Sequence, residues 1–354
     1  MILMSKRILV AACAAATALA LSACSPSAST GGKASKDGTL TVMASFYPLK
    51  YLAEKVGGEH VTVTSLTPDG AEPHDLELSP KMVDSLASAD AVVYLAGFQG
   101  AVDEAIEQHA PTTVIDVSSA AQLVAIDSTS NHPGEDEGTD EAQSGEAQSG
   151  KAQSGEATDH DHEGHEHEGH DHEHADHDHH HDMSMDPHFW LDPARMANAA
   201  TLVGDKLAEA DPTNAETYKA NAQALNKELT SLGDNLVTKT STCQIKTFVT
   251  AHTAFGYLAD RTGLTQVGIS GLDPESSPSP ARLAEIGKIA KDQGVTTIFT
   301  EALIDPKVAQ TLADDLGIST AVLDPIESQT DSSKDYAAVM NDNIDALTKA
   351  NNCQ

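Results

Sequence analysis

Residues 40–66 read LTVMASFYPLKYLAEKVGGEHVTVTSL. Two short apolar runs rich in β-branched residues, 40–46 and 61–66, flank a helical pattern at 47–57. Strand, helix and strand in that order predict a parallel pair, because strands that run the same way need a crossover between them. The alternation continues with strands expected at 91–96 (AVVYLA) and 113–117 (TVIDV), and helices at 79–89 and 101–110. Residues 39–191 are therefore expected to form an α/β lobe with helices on both faces of a parallel sheet.

A second unit of the same kind follows. Strands are expected at 245–251 (IKTFVTA), 265–269 (TQVGI), 295–300 (VTTIFT) and 318–323 (ISTAVL), with helices at 254–263, 280–293, 307–316 and 335–350. This second lobe spans 240–354. Between the two lies a helical segment, 192–239. One start is expected at Asp192-Pro193, since proline suits the first helical turn, and another at Asp211-Pro212. Tyr218, Ala222, Leu225, Leu229, Leu232 and Leu236 then recur at spacings of four and three. They make one apolar stripe on a helix of about 25 residues, roughly 38 Å long. Such a helix serves equally as a stiff connector or as an ordinary surface helix, and its periodicity fits both.

The N-terminus reads as an export signal. Lys6 and Arg7 precede a short apolar stretch, Ile8 to Leu21, too short to span a bilayer core of roughly 30 Å. It ends in Leu21-Ser22-Ala23-Cys24, which resembles a bacterial lipobox, so residues 1–23 are expected to be removed and Cys24 lipidated. Residues 24–38 read as a flexible tether rich in Ser and Gly. Of the four cysteines, Cys13 leaves with the signal, and Cys243 and Cys353 remain as an expected disulfide of an exported chain.

The net charge of −33 is uneven: residues 131–186 hold 18 acidic side chains and one lysine. No basic patch appears, which argues against nucleic acid as a partner. Residues 128–186 interrupt the first α/β unit. They contain the spacer repeats EAQSG, EAQSG and KAQSG, and then HDHEGHEHEGHDHEHADHDHHH at 160–181. Eleven of the chain's 17 histidines fall in that run: His160, His162, His165, His167, His170, His172, His174, His177, His179, His180 and His181. Imidazole and carboxylate are ligands that borderline divalent metals prefer. With no apolar residues to fix their geometry, these side chains are expected to form a disordered, low-affinity metal gatherer rather than the specific site.

Four other segments carry candidate chemistry: PDGAEPHD at 68–75, DPHFWLDP at 186–193, FVTAH at 248–252 and LDPIE at 323–327. At least three follow expected strands, and open parallel sheets bind ligands beyond the carboxyl ends of their strands. Two such units facing each other would bring the segments together in a cleft. Their wide spacing excludes a zinc finger.

With these segments in view, the chain resembles the zinc-binding lipoproteins of bacterial ABC importers, the ZnuA/AdcA-like family. GAEPHD, DPHFWLDP and FVTAHTAFGYLA are similar to that family's three histidine-bearing segments, in the same order, and the acidic histidine-rich insertion matches many members. The resemblance covers residues 40–354. It implies two Rossmann-like lobes joined by a long rigid helix, with one Zn2+ buried between them. It makes His74, His188 and His252 ligands. The fourth position varies in the family between a carboxylate and solvent, and here LDPIE offers Glu327. Glu301 is expected beside the site as an alternative ligand or an acceptor for a ligating imidazole. Asp75, Asp186 and Asp192 could also hold imidazoles in place, although helix capping explains Asp192 as well. Phe189 and Trp190 are expected to pack around the site. The related manganese binders replace a histidine with a carboxylate, whereas three imidazoles favour zinc.

The resemblance implies a monomeric receptor held at the cell membrane by its lipid. It captures zinc outside the cytoplasm and delivers it to an ABC permease driven by a separate ATPase, without catalysis. A secreted zinc hydrolase is the competing class, since three histidines and a water make a catalytic site. The chain lacks HExxH, GxSxG and a glycine-rich phosphate loop. A surface zinc buffer without a transporter is a second alternative.

Overall fold

The computed structural model describes residues 38–109, 111–126 and 185–354. The signal segment, Cys24, most of the tether and the histidine run at 160–181 lie outside the described residues.

The first sheet has four parallel strands: β1 (Leu40–Ala44), β2 (Val61–Ser65), β3 (Ala91–Tyr94) and β4 (Thr113–Asp116). Their order is β2-β1-β3-β4, with Val42 opposite Val63 and Val92 opposite Val114. Helices α1 (Tyr47–Gly57), α2 (Pro80–Ser88) and α3 (Gly100–His109) make the crossovers, and the short α4 (Ser118–Ala121) follows β4. Ser79 begins α2, its hydroxyl accepting from Met82 N–H, and Pro80 takes the first turn, where no N–H is needed.

Two helices without strands come next. α5 (Pro193–Ala210) is capped by Asp192, whose carboxylate accepts from Ala194 N–H at 2.9 Å. α6 (Ala215–Thr240) runs for 26 residues. It begins at Ala215 rather than at the expected Asp211-Pro212. The Asp211 carboxylate instead accepts from Thr213 N–H, Asn214 Nδ2 and the Tyr218 hydroxyl, closing a turn before the helix starts. The two helices pack closely: a Cβ at Gly204 of α5 would lie 2.4 Å from Ala222 Cβ of α6.

The second sheet repeats the first. β5 (Thr247–Thr250), β6 (Thr265–Gly268), β7 (Thr297–Thr300) and β8 (Ser319–Val322) are parallel, in the order β6-β5-β7-β8. α7 (Gly256–Thr262), α8 (Pro280–Asp292), α9 (Lys307–Leu316) and the C-terminal α10 (Tyr336–Ala350) complete it. In each sheet the chain starts on an inner strand, pairs to one side and then crosses to the other. The switch points lie between β1 and β3 and between β5 and β7, where doubly wound sheets place ligands.

The cores decide how the two halves relate. One face of each sheet has its own apolar cluster, around Met43, Leu86 and Val92 in the first and Val249, Ile286 and Ile298 in the second. The other faces share a single cluster. It joins Val42, Phe46 and Leu52 through Trp190, Met196, Leu225 and Leu236 to Phe248, Phe299, Leu323 and Tyr336. All six residues of the α6 stripe are buried in it, and α6 packs against α1 on one side and α7 and α10 on the other. Apolar burial of that extent opposes relative movement of the lobes. Cys243 and Cys353 form a disulfide across 110 residues, joining the end of α6 to the chain terminus. Among the described residues, no helix is long and apolar enough to cross a membrane.

Candidate metal centre

His74 stands on the loop after β2, His188 just ahead of α5, His252 directly after β5 and Glu327 in the turn after β8. These four side chains each offer one ligand atom, all within 4.8 Å of one another. Glu327 Oε1 lies 3.4 Å from His74 Nε2, 3.3 Å from His188 Nε2 and 3.4 Å from His252 Nε2. His74 Nε2 and His188 Nε2 are 3.3 Å apart. A tetrahedral zinc with bonds of about 2.0–2.1 Å needs edges of roughly 3.3 Å between its ligands. The four separations match that spacing, and the other two lie within 4.8 Å.

Local bonds fix two of the imidazoles. The Asp186 carboxylate accepts from His188 N–H at 3.0 Å and from His188 Nδ1 at 2.8 Å, turning Nε2 to the cluster. The Tyr257 hydroxyl in turn donates to the Asp186 carbonyl at 2.7 Å. His252 makes the same arrangement with a residue distant in sequence. Its N–H and Nδ1 both donate to Glu301, which directly follows β7 across the switch point. Carboxylates behind ligating imidazoles set the tautomer and raise the basicity of the other nitrogen.

Asp75, another candidate for such a role, is exposed, and its own N–H donates to Glu72. Asp192 caps α5 and lies beside Arg195 and Arg261 rather than an imidazole. Trp190 Nε1 donates to the Pro325 carbonyl at 2.7 Å, tying the His188 segment to the turn that carries Glu327. That turn holds Ile326 at φ +57°, a region that β-branched residues rarely enter. The Asp324 carboxylate braces it by accepting from Ile326 N–H.

The electrostatics suit a cation. Burial alone would lower the pKa of His252, but the charge and hydrogen bond of Glu301, with Glu327 behind, lift it to about 10. Burial opposes charge on His188 too, and bonds to Asp186 and Glu327 overrule it and raise its pKa. Burial would raise Glu327, yet hydrogen bonds from His188, His252 and His74 hold it well below the usual carboxylate range. His252 Nε2 is buried, and its 3.4 Å approach to Glu327 is not aligned as a good hydrogen bond. Three imidazole nitrogens gathered round one buried carboxylate oxygen are a donor set for a borderline divalent ion.

One residue at the site was not singled out from the sequence. Glu72, two positions before His74, accepts from His74 N–H with both oxygens, at 3.0 and 2.9 Å. Its signal was its place inside GAEPHD.

Two parallel sheets that face one buried cluster of three histidines and a glutamate define a two-lobed α/β protein with one candidate metal centre among the described residues. The sequence matches the family described as zinc-uptake complex component A, periplasmic (ZnuA), over residues 42–350, and the chain belongs to that family. It is 32% identical to the high-affinity zinc uptake system protein ZnuA of Bacillus subtilis, over 94% of both chains. It is 34% identical to the zinc-binding protein AdcA of Streptococcus pyogenes over 88% of its own length, but spans only 56% of that longer protein. Among solved structures it resembles a Zn(II)-bound variant of AdcAII from Streptococcus pneumoniae, with a TM-score of 0.68 and 29% identity, covering 89% of this chain and 99% of that one. The laminin-binding protein Lmb of Streptococcus agalactiae, described as an adhesin with metal transporting activity, gives 0.68 and 27%, covering 88% and 99%.

Proposed function

We propose that this chain is an extracytoplasmic zinc receptor. It holds one Zn2+ on His74, His188, His252 and Glu327 and gives it up to an ABC permease worked by a separate ATPase. The observation that carries this reading is the set of 3.3–3.4 Å separations around Glu327 Oε1 and the three Nε2 atoms. Four protein donors complete a tetrahedral zinc and leave no position for a water to be activated, which favours a receptor over a hydrolase. The same reading makes Cys24 the lipid anchor and the histidines at 160–181 a weak collector that raises zinc concentration near the cleft. It treats the receptor as a monomer whose lobes run from 39 to 191 and from 240 to 354.

The test is growth and labelled-zinc uptake under zinc limitation, in cells whose only copy carries His252→Ala in the full-length chain. The reading expects uptake to fall to the level of the deletion strain, with the lipoprotein still present at the membrane. Uptake at the wild-type rate would refute it.

A further inference from the structure

The cluster is closed on most sides. Asp186, His188, Phe189, Trp190 and His252 are fully buried, and Glu327 nearly so. A hydrated cation must still reach it. Of the side chains at the cluster, His74 and Glu72 retain contact with water, at 6% and 18% exposure. Both belong to the loop between β2 and α2, where Pro68, Asp69, Gly70 and Asp75 are exposed. Glu72 Oε1 lies 3.9 Å from His74 Nε2, the nitrogen that also lies 3.4 Å from Glu327 Oε1. One imidazole nitrogen therefore stands between a carboxylate that touches solvent and a carboxylate that does not. The bonds from His74 N–H and Asp75 N–H hold Glu72 in place relative to the imidazole.

Resting on the zinc-receptor reading, we propose that Glu72 is the intake ligand of the site. With His74 Nε2 it takes the hydrated ion at the mouth, where a carboxylate oxygen displaces bound water. Glu327 Oε1 then replaces Glu72 on the metal while His74 stays bound, and His188 and His252 complete the set. Metal–water bonds are exchanged for metal–carboxylate and metal–imidazole bonds, a protonated imidazole gives up its Nε2 proton as it binds, and the water and the proton leave to solvent.

This role has a kinetic signature. A group that lowers the barrier along the route speeds passage in both directions. Its loss slows association and dissociation together and moves the equilibrium little. Loss of a resident ligand instead speeds dissociation. Trp190 supplies a signal confined to the cleft: it is the chain's only tryptophan, and its ring lies 5.2 Å from that of His188.

Stopped-flow Trp190 emission should be followed in the full chain, with chelator-buffered Zn2+ for association and excess chelator for dissociation. Glu72→Gln keeps an acceptor for the loop N–H groups and removes the charge. It is expected to slow both rates about tenfold, with less salt dependence of association and a Kd within about threefold of wild type. Glu327→Gln is expected to speed dissociation. An unchanged association rate in Glu72→Gln makes Glu72 a loop support only, and faster dissociation makes it a resident ligand; either overturns the proposal. If His252→Ala leaves the Trp190 response intact, the site assignment fails and this inference with it. If His252→Ala abolishes the response while Glu72→Gln is kinetically silent, the intake role alone fails.

Discussion

Glu301 Oε2 lies 2.7 Å from His252 Nδ1, and both side chains are withdrawn from solvent. The contact joins the ends of β5 and β7 across the switch point of the second sheet. It commits the neutral His252 ring to one tautomer, with the proton on Nδ1 and the lone pair on Nε2, where a metal that displaces the second proton can bind.

Glu301→Gln keeps an acceptor of the same shape and removes its charge. Zinc affinity is expected to fall by about 10–100-fold with the fold intact. Chelator competition at fixed pH measures the affinity, and circular dichroism checks the fold. Undiminished affinity would show that His252 is oriented by something other than this carboxylate.

Protons and zinc compete for the same atoms. In the zinc-free protein His252 is raised to about 10, from an ordinary imidazole value near 6.5. Its contribution to stability is then complete below about pH 6.5 and is lost as pH rises toward 10. Glu327 is shifted the other way, so its contribution is present above the ordinary carboxylate value and lost as pH falls through its depressed one. The melting temperature of the zinc-free protein should therefore decline between pH 6.5 and 10, and less so in His252→Gln. Zinc binding should release protons across that window. Calorimetry in buffers of different ionisation enthalpy reads the release, and an enthalpy independent of buffer would contradict it.

The disulfide ties the terminus after α10 to the end of α6. Closing a loop of 110 residues is worth roughly 4–5 kcal/mol in the chain-entropy model. Cys353→Ser should lower the urea-unfolding free energy by up to that amount, with zinc affinity nearly unchanged because Cys243 precedes β5 whereas His252 follows its other end. A variant as stable as the parent would mean that the thiols are not paired in the native protein.

The two lobes share one apolar cluster through α5 and α6. Scattering profiles of the zinc-free and zinc-bound protein should nearly superimpose, with any change confined to the β2–α2 loop. A large compaction on binding would show that the shared core parts and closes.

Much of this was legible in the sequence because parallel sheets are locally written. Apolar runs such as AVVY at 91–94 and TIFT at 297–300 stand where strands form, since inner strands are buried on both faces. The rule that ligands gather beyond strand ends pointed to the segments holding His74, His252 and Glu327. Other features depend on contacts between distant residues, which periodicity does not record. The α6 stripe fitted a connector and a surface helix equally, and only its packing against α1, α7 and α10 separates the two. Glu301 was expected beside the site, but its bond to His252 spans 49 residues and rests on the pairing of β5 with β7. Glu72 has no spacing in the sequence that marks it apart from the other acidic residues of its loop. Its role arises from a loop conformation that folds the carboxylate back onto two N–H groups.

The most direct test is a competitive zinc titration of residues 39–354, beside a form lacking 132–182 and a third form that also carries His252→Ala. The account predicts one tight zinc in the form without the histidine run, and its loss on the His252 change. Disappearance of tight binding with the run alone would contradict it and leave a surface zinc buffer in place of a cleft receptor.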